Sequence, residues 1–277
     1  MLVECLEPIV TGKLMIQFGF RFVICILLTL AAVPASAQAP RARRQPAPAP
    51  AAKLGGVGQF PAATVKVGTS TRGFRLVVPK SVDLRKPAPV VIAFHGILID
   101  SKDLMPRYTG LSETAEAHKF IIAYPDAIDR SWGLTPEKIE ADLAMFDALV
   151  AELKSHYKID PQRIYVVGMS NGGYFAHLLA RERSRTIAAV ASHSGPLGLQ
   201  TLLGVRADRK FPVLIIHGDQ DKIFPVAFAR ENRDKYTREG HEVKYVEVPK
   251  LGHMWATEAK INETIWEFFE KHPLPKP

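Results

Sequence analysis

One stretch decides the fold: Arg163-Ile164-Tyr165-Val166-Val167-Gly168-Met169-Ser170-Asn171-Gly172-Gly173. Its first half is rich in β-branched side chains, which is typical of a buried strand, and a helix is predicted directly after it. The glycines on either side of Ser170 allow the chain to turn sharply from strand to helix. Such a turn lifts the serine hydroxyl clear of the backbone and leaves the next amide free. The stretch therefore predicts Ser170 as a nucleophile; the alternative is a tight turn with an idle serine.

Alternating strands and helices surround this unit. Runs rich in apolar residues predict strands over residues 89–94, 120–124, 163–167, 187–191, 211–216 and 243–248; the run over 89–94 is continuous, which is typical of a buried central strand. Amphipathic helices are predicted between them, and the clearest covers residues 136–157, where apolar side chains recur every three or four positions. This alternation predicts an α/β fold with a mostly parallel central sheet and helices on both faces. Active sites of such sheets gather at the carboxyl ends of the strands.

Polar residues follow two later strands in the order that a serine nucleophile requires. A serine hydroxyl needs a base and the base needs an orienting acid; after a strand–turn–helix serine, the acid precedes the histidine. Asp221 lies in the loop after residues 211–216, and His253 lies between the last strand and the last helix. We predict Ser170, Asp221 and His253 as the catalytic residues. Asp219, in the same loop as Asp221, is the alternative acid.

Two pairs of residues are assigned to substrate contacts. The backbone amides of Asn171 and of Ile97, in the loop after the strand that ends at Phe94, are predicted to form an oxyanion hole. Gly96 is the alternative to Ile97. Trp132 and Trp255 follow strand ends and are predicted either to form an aromatic wall for the substrate or to pack in the core.

The remaining polar residues near strand ends are predicted to have structural roles. His95 and His217 each precede a glycine at a strand end and are expected to hydrogen-bond within their loops, and His193 also lies near a strand end. No carboxylate–histidine motif on a helix accompanies them, so no metal site is predicted. Asp142 falls beside the apolar stripe of the helix over residues 136–157. A buried carboxylate needs a partner, so an ion pair is expected there.

The N-terminal residues have the pattern of an export signal. An apolar run over residues 22–33 follows basic residues and precedes Ala35-Ser36-Ala37, a pattern that signal peptidase accepts. Met15 is an alternative start. The alternative is an uncleaved anchor, but the run is shorter than the roughly 20 residues that span a bilayer, so no stable membrane insertion is expected after cleavage. We expect a secreted or periplasmic protein.

The cleavage site also sets the predicted domains. We predict a signal peptide over residues 1–37, a Pro/Ala-rich basic linker over 38–58 and a catalytic domain over 59–277. Both cysteines, Cys5 and Cys25, fall in the predicted signal peptide. The mature chain is therefore expected to have no disulfide, thiolate metal site or cysteine nucleophile. The formal net charge is +8, but the basic residues are spread without aromatic interleaving, which argues against a nucleic-acid partner.

Together these motifs resemble the extracellular polyhydroxybutyrate depolymerase and feruloyl esterase group, with the related acetyl xylan esterases. The matching stretches are Phe94-His95-Gly96, Tyr124-Pro125-Asp126, Asp160-Pro161-Gln162-Arg163-Ile164-Tyr165 leading into Gly168-Met169-Ser170-Asn171-Gly172-Gly173, His217-Gly218-x-x-Asp221 and Gly252-His253-x-Trp255. The resemblance implies an α/β-hydrolase fold, no cofactor, and ester hydrolysis through an acyl-serine. It places the nucleophile, acid and base on Ser170, Asp221 and His253. The chain departs from the group in having Ala256 where proline is frequent.

The expected substrate is a small-molecule or oligomeric ester of the short-chain, aryl or hydroxyalkanoate type. Three alternatives are kept: a serine peptidase of the same fold, an acyltransferase of the same fold, and a non-catalytic envelope binding protein. The first two would use the same three side chains. The presence of Ser170, Asp221 and His253 argues against the third.

Overall fold

The computed structural model describes residues 53–97, 101–198 and 206–276. The described residues belong to one compact unit, Ala49–Pro277, and residues 1–52 lie outside the described ranges. The predicted signal peptide and the predicted linker up to residue 52 therefore lie outside them, so these boundaries stay predictions. Within the described ranges, no helix is long and apolar enough to cross a bilayer.

The described chain forms eight strands and six α-helices. Their bounds are β1 (Gly58–Val67), β2 (Ser70–Val78), β3 (Ala88–Phe94), α1 (Leu104–Thr109), α2 (Leu111–His118), β4 (Ile121–Pro125), α3 (Pro136–His156), β5 (Ile159–Met169), α4 (Asn171–Glu182), β6 (Ala189–His193), β7 (Val213–Gly218), α5 (Val226–Arg238), β8 (Val243–Val248) and α6 (Ile261–Glu270).

All eight strands belong to one sheet, in the order β1-β2-β4-β3-β5-β6-β7-β8. β1 and β2 pair antiparallel, and β2 pairs antiparallel with β4. From β4 to β8 every pairing is parallel. The carboxyl ends of six strands therefore meet at one edge of the sheet, and the loops that follow them share that edge.

Successive side chains of the central strands point to opposite faces of the sheet, and both faces are buried. In β3, Val90 and Ile92 pack in one apolar cluster and Val91 and Ala93 in the other. One face is covered by α3, α4 and α5, through Phe146, Leu149, Phe175, Leu179, Ala229 and Tyr236. The opposite face is covered by α2 and α6, through Leu111, Ala115, Ile265, Trp266 and Phe269. The predicted fold class, a mostly parallel sheet between two helical layers, is confirmed.

Some predicted element bounds differ from the observed ones. The strand predicted over residues 163–167 runs from Ile159 to Met169. The last helix, predicted from about residue 257, begins at Ile261, since residues 257–260 form turns. α1 was not predicted, because six residues that include Pro106 are too few to display a helical apolar period.

A buried ion pair anchors α3 to the antiparallel part of the sheet. Arg72 Nη2 lies 2.9 Å from Asp142 Oδ1, and the Asp142 side chain is 0% exposed. Arg72 Nη2 also donates to the Asp126 carbonyl at 2.9 Å, and the Gly133 N–H donates to Asp142 Oδ2 at 2.9 Å. The ion pair predicted for Asp142 is confirmed. It holds both ends of the loop between β4 and α3.

Replacing Asp142 with alanine is expected to destabilise the fold by about 3–5 kcal/mol, because it leaves a buried guanidinium without its counter-charge. Urea unfolding of the purified protein measures the change. The control is Asp208→Ala, which removes an ion pair with Arg185 whose side chains are 71% and 77% exposed. Solvent screens that pair, so no measurable change is expected. Equal stabilities for Asp142→Ala and the unmodified protein would contradict the expected role.

Candidate active site

The turn at Ser170 joins the end of β5 to the start of α4. Ser170 has φ 55° and ψ −119°, a backbone conformation that non-glycine residues rarely adopt. Two glycines make this turn possible. A Cβ atom at Gly168 would lie 2.1 Å from the Gly172 carbonyl oxygen, and one at Gly172 would lie 2.2 Å from the Phe94 carbonyl oxygen. The first turn of α4 thus packs directly on the ends of β3 and β5, with Ser170 at the apex.

Three side chains form a continuous hydrogen-bonded line at this edge. Ser170 Oγ lies 2.9 Å from His253 Nε2, and His253 Nδ1 lies 2.7 Å from Asp221 Oδ2. A carboxylate can only accept, so Nδ1 carries a hydrogen, and Nε2 of the neutral imidazole is then the acceptor for the serine hydroxyl. The three residues come from the ends of β5, β7 and β8. The structure thus brings the three predicted residues together, with the histidine between the serine and the aspartate.

The carboxylate of Asp221 is fully paired. Its Oδ1 accepts hydrogen bonds from the backbone N–H groups of Ile223, at 2.9 Å, and Phe224, at 2.8 Å. Burial by itself raises the pKa of Asp221, but the hydrogen bonds from His253 and Phe224 outweigh it and lower that pKa below the usual value. The group facing His253 is therefore a carboxylate anion.

Asp219, the alternative acid, is placed elsewhere. Its side chain is exposed, and its Oδ1 accepts the Lys250 N–H at 2.6 Å. Asp219 thus closes the turn that follows β8, whereas Asp221 is the carboxylate that contacts His253.

The loop after β3 lies against the serine. A Cβ atom at Gly96 would lie 3.1 Å from Ser170 Cβ, and Ile97 follows directly and is half-buried. On the other side, Asn171 is the first residue of α4, so its backbone N–H has no partner within the helix. The predicted oxyanion donors therefore lie on the two segments that flank Ser170. The assignment of the Ile97 amide over that of Gly96 stays a prediction.

The prediction that Trp132 and Trp255 form an aromatic wall for the substrate is wrong. Their exposed fractions are 0% and 4%. The Trp132 indole donates to the His95 carbonyl at 2.8 Å and stacks on Phe175. The Trp255 indole donates to Asn262 Oδ1 at 2.9 Å. Because both indole N–H groups find partners inside the protein, both rings pack in the core, which was the alternative.

The buried histidines His95 and His193 connect their strand ends to neighbouring loops. His95 Nε2 accepts the Ala127 N–H at 3.1 Å, and His193 Nε2 accepts the Ala256 N–H at 3.2 Å. Both histidines are almost fully buried. Across the described ranges, no group of three histidine, cysteine or acidic residues is arranged to hold a metal ion.

Two contacts at the site were not predicted from the sequence. The Asn171 side chain accepts the Trp132 N–H at 2.7 Å and donates to the Trp132 carbonyl at 3.1 Å. The Tyr108 hydroxyl accepts a hydrogen bond from the backbone N–H of Trp255 at 2.8 Å, which ties α1 to the loop of His253. These partners are 39 and 147 residues apart in sequence, so no local pattern indicates them.

Comparison with known proteins agrees with this architecture. Residues 121–266, which include Ser170, Asp221 and His253, match the model of the dienelactone hydrolase family. The chain belongs to the dienelactone hydrolase family. The resemblance to esterases of the α/β-hydrolase fold, predicted from the motifs, is confirmed at that level.

Relatives of this family member include named esterases. It is 33% identical over 171 residues to the putative esterase NocK of Nocardia uniformis subsp. tsuyamanensis, a match that covers 59% of this chain and 49% of that protein. It is 25% identical over 207 residues to feruloyl esterase D of Neurospora crassa, covering 68% of each chain. The chain thus spans about half the length of the first of these relatives.

Solved structures support the fold. A ferulic acid esterase of Anaeromyces mucronatus superposes with a TM-score of 0.60 at 20% identity, over 84% of this chain and 96% of that chain. A thermostable esterase superposes with a TM-score of 0.63 at 21% identity, over 77% of this chain and 63% of that chain. At these identities the likeness establishes the α/β-hydrolase fold alone.

His193, beside the site, makes stability depend on pH. Burial, reinforced by the nearby His217 and His253, lowers the pKa of His193 to about 3, against 6.5 for a free imidazole. Between these pH values the unfolded chain binds a proton that the folded chain does not, so stability falls as pH falls. His193→Gln keeps an acceptor for the Ala256 N–H but does not titrate. The slope of unfolding free energy against pH should become shallower by about 1.4 kcal/mol per pH unit.

Urea unfolding at several pH values between 4 and 6.5 measures this slope. His177, on α4, is a second case, since burial also lowers its pKa to about 3. His177→Gln should flatten the slope to a similar degree. An unchanged slope in both variants would contradict the protonation argument.

Proposed function

We propose that this protein is an exported serine carboxylic-ester hydrolase. The observation that carries the proposal is the line from Ser170 Oγ through His253 to Asp221, with contacts of 2.9 Å and 2.7 Å. This is the arrangement that turns a weakly nucleophilic hydroxyl into an attacking group, because the base accepts its proton and the acid orients the base. Membership of the dienelactone hydrolase family and the named esterases among the relatives support it.

The reaction has two halves. In the first, Ser170 Oγ attacks the ester carbonyl carbon while His253 Nε2 takes the hydroxyl proton. The negative oxygen of the tetrahedral intermediate is held by the backbone N–H groups of Asn171 and Ile97. His253 then donates its proton to the departing alkoxide, so an alcohol leaves and an acyl-serine remains. In the second half, water attacks the acyl carbon, His253 takes the proton from water and returns it to Ser170, and the carboxylic acid is released.

Asp221 acts through His253. Its carboxylate accepts the Nδ1 hydrogen and so keeps Nε2 free to accept from serine. Its negative charge stabilises the imidazolium that forms when the proton arrives. Because the pKa of Asp221 is held below its usual value, the carboxylate stays ionised throughout the pH range in which esterases are assayed.

The proposed substrate is a small-molecule or oligomeric ester with a short-chain, aryl or hydroxyalkanoate acyl group. Exposed apolar side chains support an apolar acyl or alcohol part. Leu104, Leu134 and Met254 are 47%, 46% and 52% exposed, and they lie on segments that follow β3, β4 and β8 at the edge of Ser170. With Trp132 and Trp255 buried, these side chains are the apolar contacts we assign to the substrate.

The signal peptide predicted over residues 1–37 supports export, so we propose that the mature enzyme is secreted or periplasmic, without stable membrane insertion. No nucleic-acid partner and no cofactor belong to the proposal.

Ser170→Ala is expected to abolish hydrolysis, since among the described residues Ser170 is the one hydroxyl that hydrogen-bonds to His253. The assay uses p-nitrophenyl esters of increasing chain length, methyl ferulate, acetylated xylan and hydroxybutyrate oligomers, with the highest activity expected on short esters. A fluorophosphonate probe should add to Ser170 in the unmodified protein, as read by mass spectrometry. Ser155→Ala removes an exposed serine on α3 and should change neither result.

Four results would overturn this proposal. Hydrolysis that survives Ser170→Ala would place the chemistry elsewhere. The absence of a Ser170 adduct on the folded protein would favour the non-catalytic alternative. Acyl transfer to an added alcohol in preference to water, or cleavage of peptides but not esters, would favour the acyltransferase or the peptidase.

The acid is tested by a matched pair of substitutions. Asp221→Asn removes the charge and offers the wrong hydrogen-bonding group to His253 Nδ1, so kcat should fall by about 10⁴. Asp219→Asn alters the exposed neighbour two residues away and should leave kcat unchanged. Steady-state kinetics on a p-nitrophenyl ester measure both. A larger loss for Asp219→Asn would reverse the assignment.

A further inference from the structure

We propose that His217 is a positioning residue of the active site, which fixes the Asp221 loop and through it the base His253. This inference rests on the proposed serine hydrolase function. His217 ends the run of apolar residues in β7 and is 1% exposed. It therefore touches no substrate, and any effect that it has on the reaction passes through its neighbours.

The His217 side chain closes the acid loop. Its Nε2 lies 2.7 Å from the carbonyl oxygen of Phe224 and 3.3 Å from Asp221 Oδ2. A carbonyl oxygen can only accept, so Nε2 carries a hydrogen and donates it to Phe224. The same N–H presents its positive end to the Asp221 carboxylate. One side chain thus ties the start of the loop to its far end and contacts the same Asp221 oxygen, Oδ2, that His253 Nδ1 contacts.

Phe224 links the hydrogen bond from His217 to both Asp221 and His253. Its backbone N–H donates to Asp221 Oδ1 at 2.8 Å, and its ring centroid lies 5.6 Å from that of His253. A displacement of Phe224 would therefore move a donor of the acid and a packing partner of the base together. The hydrogen bond from His217 is what holds the Phe224 carbonyl at the end of this chain of contacts.

The electrostatic surroundings of His217 favour its neutral form. Burial lowers the pKa of His217, although the Phe224 carbonyl, Asp221 and Glu247 oppose that effect, and His253 adds to it. His193 is the other titratable group that interacts with His217. With Nε2 protonated, Nδ1 is left as a bare nitrogen, and it has no hydrogen-bond partner among the described residues. A buried nitrogen without a partner is costly. We interpret the unpaired Nδ1 as a consequence of the N–H that the Phe224 carbonyl requires at Nε2.

Two substitutions separate positioning from simple packing. His217→Phe keeps a buried ring and removes the N–H, whereas His217→Gln places an amide N–H near the former Nε2. Kinetics on a short p-nitrophenyl ester are normalised to active sites titrated with a fluorophosphonate, so that misfolded molecules do not count. His177→Phe is the control, since it removes the hydrogen bond of another buried histidine, to Tyr236, outside the site.

For His217→Phe we expect kcat per titrated site to fall by about tenfold or more, the loss of one hydrogen bond beside a charged group, with KM unchanged. His217→Gln should restore most of kcat, and His177→Phe should retain full kcat. Equal kcat in His217→Phe and the unmodified enzyme, or an equal loss in His217→Gln and His217→Phe, would overturn the proposal. An unmodified protein without hydrolysis would instead refute the proposed function on which it rests.

A measurement on the unmodified protein covers the case in which His217→Phe does not fold. Nitrogen-15 NMR of labelled histidines reports which ring nitrogen carries the hydrogen. We expect His217, assigned by comparison with His217→Gln, to be neutral at pH 7 with its hydrogen on Nε2. A hydrogen on Nδ1 alone would leave no donor for the Phe224 carbonyl and would overturn the proposal.

Discussion

The close approach of α4 to the ends of β3 and β5 is the constraint on which the site depends. It leaves no room for a side chain at Gly168 or Gly172 and forces Ser170 to φ 55°. Such a conformation costs on the order of 1–3 kcal/mol and persists only where the surroundings impose it. Here they do: the Ser170 N–H donates to the His193 carbonyl at 2.8 Å, and the apolar cluster on one face of the sheet holds α4 in place.

The parallel sheet converts sequence order into proximity. Ser170, Asp221 and His253 lie tens of residues apart, yet each follows the carboxyl end of a strand, and these ends share one edge. The strand ends fix where each loop begins, and the short loops determine the final positions of the three side chains. This division explains why the serine is fixed by backbone sterics, whereas the acid and the base depend on hydrogen bonds within their loops.

A second tier of buried polar groups holds those loops in place. His193 binds the loop that follows His253, His217 binds the loop of Asp221, and the Arg72–Asp142 pair holds the loop between β4 and α3. Each group is nearly inaccessible to solvent. Buried polar groups are costly unless paired, so they stabilise one loop arrangement over its alternatives. Groups that are buried behind the site therefore favour one arrangement of its loops.

The sequence by itself predicted the sheet, its two helical layers, Ser170 and His253, and it favoured Asp221 as their partner without excluding Asp219. Apolar periodicity reflects burial directly, and the strand–turn–helix pattern at Ser170 is local. Both features can therefore be recognised from the sequence. The choice of Asp221 over Asp219 was decided by the tertiary structure, because two carboxylates in one loop differ only in the direction that the loop gives them. The burial of Trp132 and Trp255 was decided in the same way, since the partners of both indoles come from distant segments. Long-range hydrogen bonds leave no periodic trace in a sequence, and only the folded chain brings their two ends together.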